Sequence, residues 1–193
     1  MTALEPEALR VAGLVIEVLE RHGIPYHLGG SYASALHGVP RQTHDIDLVI
    51  DPVPGSERAL AESLHDRFYA DVASIARAMR ERSSCNLIHF DTGIKVDLFV
   101  KGRTPFDQSE FDRRVSVPLE GAVPAAVFVK SPEDTILRKL LWYRLGGKVS
   151  ERQLEDARGI VGVQAERLDR SYLSRWATAL EIQDLLAEIL RGD

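Results

Sequence analysis

The chain has 193 residues, with 29 acidic against 24 basic side chains and a formal net charge of −5 at pH 7. That balance excludes a protein that coats nucleic acid through bulk charge, while leaving room for a local basic groove. Hydrophobic residues make up 45% and charged ones 27%, the mix of a water-soluble unit with its own core, and no apolar run approaches a membrane span.

Residues 5 to 22 carry an apolar stripe of helical period through Leu9, Ala12, Val15, Ile16 and Leu19, which predicts a helix opened by Pro6 and closed by Gly23 and Pro25. Tyr26 to Leu28 reads as a short strand running into the glycine pair Gly29-Gly30. Ser31 to Leu36 reads as a helix that Ser31 would cap. A loop over 39–44 leads to a strand over 45–50, and Asp51-Pro52-Val53-Pro54-Gly55-Ser56 breaks it. Helices are expected over 57–68 and 72–82. Strands over 85–90 and 94–100 are joined at Asp91-Thr92-Gly93, a hairpin signal. Residues 106–114 read as a short polar segment of one or two helical turns, and strands follow over 115–119 and 126–129. Ser131-Pro132-Glu133-Asp134 then caps a helix to Leu145, stopped by Gly146-Gly147. Helices over 150–163, 169–180 and 181–190 complete the chain. The reading is α+β: a sheet-bearing core over 1–130, with an all-helical part over 131–193 packed on it as one unit.

Chemistry concentrates in the segment from Gly29 to Ile50. On a strand, residues two apart face the same way, so Asp45 and Asp47 project together while Ile46 and Leu48 point behind them. Two like charges that close raise one another's pKa unless a cation neutralises them, and hard carboxylate oxygens suit Mg²⁺. Gly29 and Gly30 allow close backbone approach, and the amides opening the next helix form an anion site. On the later strand Lys95, Asp97 and Phe99 share one face. An aspartate there is costly unless it is paired or metal-bound. The Asp-x-Asp spacing also occurs in aspartyl phosphohydrolases and in some sugar transferases; the glycine pair ahead of it weighs against both. Arg41 and Thr43 lie in the loop beside the carboxylates, with a phosphate contact and an ion pair to Asp45 or Asp47 equally open for Arg41. His44 would point away from Asp45, and His37 and His89 read as packing residues. Cys85, the single cysteine, has no disulfide partner, which fits a reducing cytoplasm, and no base beside it to make it a nucleophile. The first residues hold no basic segment leading into an apolar core, so no secretory signal is expected. Arg191-Gly192-Asp193 reads as a frayed end.

The Gly30-Ser31 pair, the thirteen residues that separate Ser31 from Asp45, and the Asp45-Ile46-Asp47 strand resemble the signature of the nucleotidyltransferase superfamily. Arg41-x-Thr43-x-Asp45-Ile46-Asp47 is most similar to its small prokaryotic abortive-infection toxin-type branch. The resemblance implies a mixed sheet flanked by helices, an NTP substrate and two Mg²⁺ ions held by Asp45, Asp47 and Asp97 as the catalytic carboxylates. It implies that Gly29, Gly30, Ser31, Arg41, Thr43 and Lys139 meet the nucleotide and its phosphates, with Arg144 and Arg152 as weaker candidates. The acceptor it implies is a tRNA end, a partner protein or a small molecule, in a context that includes toxin–antitoxin pairs. Arg152-Gln153-Leu154-Glu155-Asp156 departs from the basic–acidic dipeptide of that branch, with Asp156 left to fill the later acidic position. A non-catalytic nucleotide-binding module of the same fold is the alternative.

Overall fold

The computed structural model describes residues 6–41, 45–118 and 125–191. Thr43, His44, Leu119 and the chain end at 192–193 lie outside them. In chain order the described elements begin with α1 (Pro6–Arg21), β1 (Tyr26–Leu28), α2 (Gly30–His37), β2 (Ile46–Ile50), α3 (Glu57–Leu64), β3 (Phe68–Tyr69) and α4 (Val72–Glu81). The hairpin strands β4 (Ser84–His89) and β5 (Lys95–Val100), the helix α5 (Pro105–Asp112) and the strands β6 (Val115–Pro118) and β7 (Ala126–Val129) follow. The last helices are α6 (Pro132–Leu145), α7 (Glu151–Gln164), α8 (Arg170–Ala179) and α9 (Gln183–Arg191).

The strands form one mixed sheet in the order β3-β4-β5-β2-β1-β7-β6. β2 and β5 are parallel at its centre, with Asp47 opposite Asp97 and Val49 opposite Phe99. Both strands alternate in burial: Ile46, Leu48 and Ile50, and likewise Val96, Leu98 and Val100, are buried. Those side chains join apolar residues of α1, α3 and α4 in one core. The opposite face carries Asp47, Val49, Asp97 and Phe99. A second core gathers α6 to α9 around Phe106 of α5. The two halves meet at the end of α2, where a Cβ on Gly38 would sit 2.8 Å from the Ile160 amide nitrogen and 3.0 Å from the Gly159 carbonyl carbon.

Some sequence expectations change. The helix over 57–68 ends at Leu64, because Phe68 and Tyr69 pair with His89 and Ile88 and form an edge strand. The polar segment 106–114 is a formed helix, closed at its start by a capping box between Thr104 and Asp107. Ser31 is not the cap of α2: the helix opens at Gly30 with Gly29 at the N-cap and no side-chain cap bond. Asp45 precedes β2 and is exposed.

Candidate active site

The site begins with a glycine turn laid against a strand. The Gly29 amide donates to the Asp47 carbonyl at 2.9 Å, and the Ser31 amide, at the start of α2, donates to the Asp47 carboxylate. Gly30 has φ +51, and a Cβ there would sit 1.7 Å from Asp47 Oδ2. Glycine is required twice, by the left-handed backbone and by the carboxylate against it. Gly30→Ala is therefore expected to cost more than the roughly 1 kcal/mol of left-handed strain alone, because Asp47 must also move. A urea midpoint equal to that of the unmodified chain would contradict this.

Asp47 and Asp97 are in register on adjacent strands. Burial, then the charges of Asp97 and Asp45, push the Asp47 carboxyl above the usual carboxylate range, and Lys139 and the Ser31 amide pull against them. Asp97 takes the Lys95 ammonium at 2.9 Å. Among the described residues, no group of three or more His, Cys, Asp or Glu side chains is gathered closely enough to form a metal site. Asp47 and Asp97, in register on adjacent strands, offer the carboxylate oxygens that Mg²⁺ takes.

The cationic side of the site is arranged around Asp156 of α7. Arg41 reaches it with Nε and Nη2, both at 3.1 Å, and Lys139 of α6 reaches Oδ2 at 2.7 Å. Arg41 Nη2 also donates to the Ser31 hydroxyl at 2.8 Å. The ion pair open for Arg41 thus goes to Asp156, which lies on α7, 115 residues further along the chain. Burial opposes the Asp156 anion, but the hydrogen bonds from Arg41 and Lys139 hold its carboxyl below the usual range. Arg144 pairs instead with Asp184 and the Glu181 carbonyl, and Arg152 is exposed. His37 Nε2 bonds the Lys130 carbonyl at 2.7 Å and His89 Nδ1 bonds the Thr92 hydroxyl at 2.9 Å. Cys85 is buried, and burial raises its thiol to about 11.

A cavity of about 500 Å³ opens beside Asp47. Its floor is the sheet face carrying Asp47, Val49 and Phe99, and its roof is α6. Thr135, Arg138, Lys139 and Trp142 line it because residues three, four and seven apart share a helix face. Under the glycine turn lies a buried charge network that sequence reasoning missed. Lys130 Nζ and Arg138 Nε meet the two oxygens of Glu110 at 3.1 and 2.8 Å, and Arg138 Nη2 reaches Asp107 at 2.9 Å. His27 Nε2 stands 3.7 Å from Glu110, too far for a hydrogen bond. Burial works against the Glu110 anion, yet Lys130, His27 and Arg138 hold its carboxyl far below the usual range. Only the Arg138-Lys139 pair in a capped helix hinted at this network.

Neither the family models nor the curated proteins searched include a match to this chain. Among solved structures it is similar to an antigenic nucleotidyltransferase-like protein from Paracoccidioides brasiliensis, with TM-score 0.55, 17% identity, and 98% of this chain and 95% of that one covered. A protein of Thermotoga maritima assigned as a nucleotidyltransferase matches with TM-score 0.53 and 19% identity over 79% of this chain and 95% of that one. The chain has a nucleotidyltransferase-like fold. The antibiotic-resistance factor ANT(2'')-Ia shares it, with TM-score 0.50, 16% identity, and 91% of this chain and 96% of that one covered. Within this nucleotidyltransferase-like fold, Gly30, Asp47 and Lys139 line one end of the cavity, and Asp97 stands in register beside Asp47. Among the described residues no helix is long and apolar enough to cross a membrane.

Proposed function

We propose that this protein transfers a nucleoside monophosphate from an NTP to an acceptor bearing a hydroxyl group. The observation that carries the reading is the in-register pair Asp47 and Asp97, pressed against a glycine turn at the start of α2. Asp45, Asp47 and Asp97 are the residues that would hold Mg²⁺. The chemistry supplied by the bound ion would be charge neutralisation at the carboxylates and at the transferring phosphate, and a lowered acceptor pKa. Asp97 takes the acceptor proton, the acceptor oxygen bonds to the α-phosphorus, and the bond to the bridging oxygen breaks to release pyrophosphate. Lys139, the Ser31 hydroxyl and Arg41 stabilise the charge that accumulates on the departing group. Lys139 shares its ammonium with Asp156, which fixes where that charge stands before the nucleotide arrives.

The cavity favours a small acceptor. Its volume of about 500 Å³ falls within the range of small-molecule sites. ANT(2'')-Ia, a structural neighbour with TM-score 0.50 and 14% identity in this form, has been solved with adenylyl-2''-tobramycin. That supports a small-molecule acceptor here over a tRNA end or a partner protein. The test is pyrophosphate release from ATP with Mg²⁺ and a pool of small hydroxyl compounds. Release is expected to stop when EDTA exceeds the metal and to return when Mg²⁺ is restored. Turnover that ignores the chelator would sink the metal-dependent reading.

A further inference from the structure

We infer that the acceptor carries an oxyanion, held at the far end of the cavity by Arg82 and Lys101. This inference rests on the nucleotidyl-transfer reading of the same cavity and names the chemical class of its second substrate. The charge lining the cavity is the first observation. Arg82, Lys101, Lys130, Arg138 and Lys139 contribute five cationic groups, while Asp47, Asp107 and Glu110 contribute three anionic ones. Asp47 is the group that the nucleotide and its metal would occupy. With Asp51 and Asp156, the acids that pair with these cations from just outside the lining, the remainder of the wall still carries one surplus positive charge, which disfavours a polycationic acceptor.

The second observation is where that positive charge stands. Lys130, Arg138 and Lys139 are tied to Glu110, Asp107 and Asp156. At the other end two cations share one acid: Arg82 Nη1 lies 3.3 Å from Asp51 Oδ1 and Lys101 Nζ lies 2.7 Å from Asp51 Oδ2. One unit of positive charge is left over. Arg82 Nη1 also donates to the Lys101 carbonyl at 3.1 Å, which fixes the guanidinium beside the end of β5. Its Nε is buried and has no hydrogen-bond partner among the described residues. An arginine is well suited to bidentate recognition of carboxylate or phosphate. Ser83 and Ser84 line the cavity next to it and add two hydroxyls.

The third observation is spacing. Asp47 lines the cavity at one end and Lys101 at the other; Asp47 is in register with Asp97, four residues before Lys101, so the ends stand about 13 Å apart at the usual strand rise. Between those ends the cavity is lined by Val49, Phe99 and Trp142, an apolar and partly aromatic stretch. The acceptor these walls fit has a hydroxyl at one end, a flat or apolar middle, and a carboxylate or phosphate at the other. A polyamine-bearing sugar antibiotic does not fit them.

The test uses Trp142, which lines the cavity, as the reporter. The chain holds two tryptophans, so Trp176→Phe leaves Trp142 as the only one. Phenyl phosphate, benzoate, benzylamine and tobramycin are titrated by fluorescence, with and without saturating ATP. Saturable quenching by phenyl phosphate or benzoate, and none by the two amines, is the expected result. Quenching by phenyl phosphate alone identifies a phosphate-bearing acceptor, and by benzoate alone a carboxylate-bearing one. Arg82→Asn removes the guanidinium, and asparagine tolerates the left-handed backbone that Arg82 adopts at φ 51. It is expected to weaken the anion about tenfold or more, with an unchanged melting midpoint showing that the fold is intact. Equal affinity in Arg82→Asn, tighter binding of an amine, or no saturable anion binding overturns the inference. So does displacement of the anion by ATP, which would assign this end to the nucleotide. Anion binding as described in a chain that neither binds nor turns over ATP would remove the nucleotidyl-transfer reading and leave the anion subsite standing.

Discussion

Asp47→Asn is expected to abolish nucleotidyl transfer while making the fold more resistant to heat. The loss should be about a thousandfold or more, the scale on which removing a group that stabilises transition-state charge is felt. Asparagine keeps the size of the side chain and an oxygen that can accept from the Ser31 amide, so the glycine turn remains supported. What disappears is a half-buried negative charge facing Asp97 and Asp45. The folded carboxyl of Asp47 holds its proton more tightly than the unfolded one. Its ionised form therefore subtracts stability above the unfolded value near 4, and the penalty is relieved as the pH falls through the raised folded value. The gain in melting midpoint from Asp47→Asn should be largest at neutral pH and shrink on acidification. Undiminished pyrophosphate release would remove Asp47 from the chemistry, and a lowered midpoint at pH 7 would remove the charge repulsion from the account.

Glu110→Ala carries the largest expected cost to stability. Glu110 is 4% exposed and is met by Lys130, which is 5% exposed, by Arg138 and by the fully buried His27. Truncating it leaves Lys130 and Arg138 without their shared counter-charge, a change worth about 3–5 kcal/mol. A urea denaturation series should show the midpoint falling accordingly. Adding Lys130→Met to Glu110→Ala should recover part of the loss, because the uncompensated ammonium goes too. An unshifted midpoint in Glu110→Ala would refute the network as a structural element. The same groups set the acid behaviour. Burial, the largest effect on His27 and on His37, lowers both below the usual imidazole value. Their unfolded forms bind more protons as the pH falls below about 6.5, so stability declines from there. Glu110 is depressed in the fold, so its contribution is full above the unfolded value near 4.3 and fades below it.

The features with local causes were legible in the sequence. The glycine pair, the alternating β2 and β5, the hairpin at Asp91-Thr92-Gly93 and the Ser131-Pro132 start of α6 all announce themselves within a few residues. The face shared by Lys95, Asp97 and Phe99 follows from strand period alone. What was not legible depends on distant partners. Phe68 continues a helical pattern until β4 offers it and Tyr69 an edge to pair with. Arg41 sits beside two aspartates in sequence, yet folding brings it Asp156, which lies on α7 and takes Lys139 as well. Glu110 and Lys130 look like surface residues of a polar helix and a strand end. They are buried because α5 and α6 close over the sheet, and nothing local encodes that closure.

The contact of Gly38 with the Gly159–Ile160 backbone has a mechanical consequence. Two main chains that touch without side chains between them leave no compressible layer, so α7 can neither slide along α2 nor move towards it. Any widening of the space between the sheet and α6 has to be a rotation with this point as fulcrum.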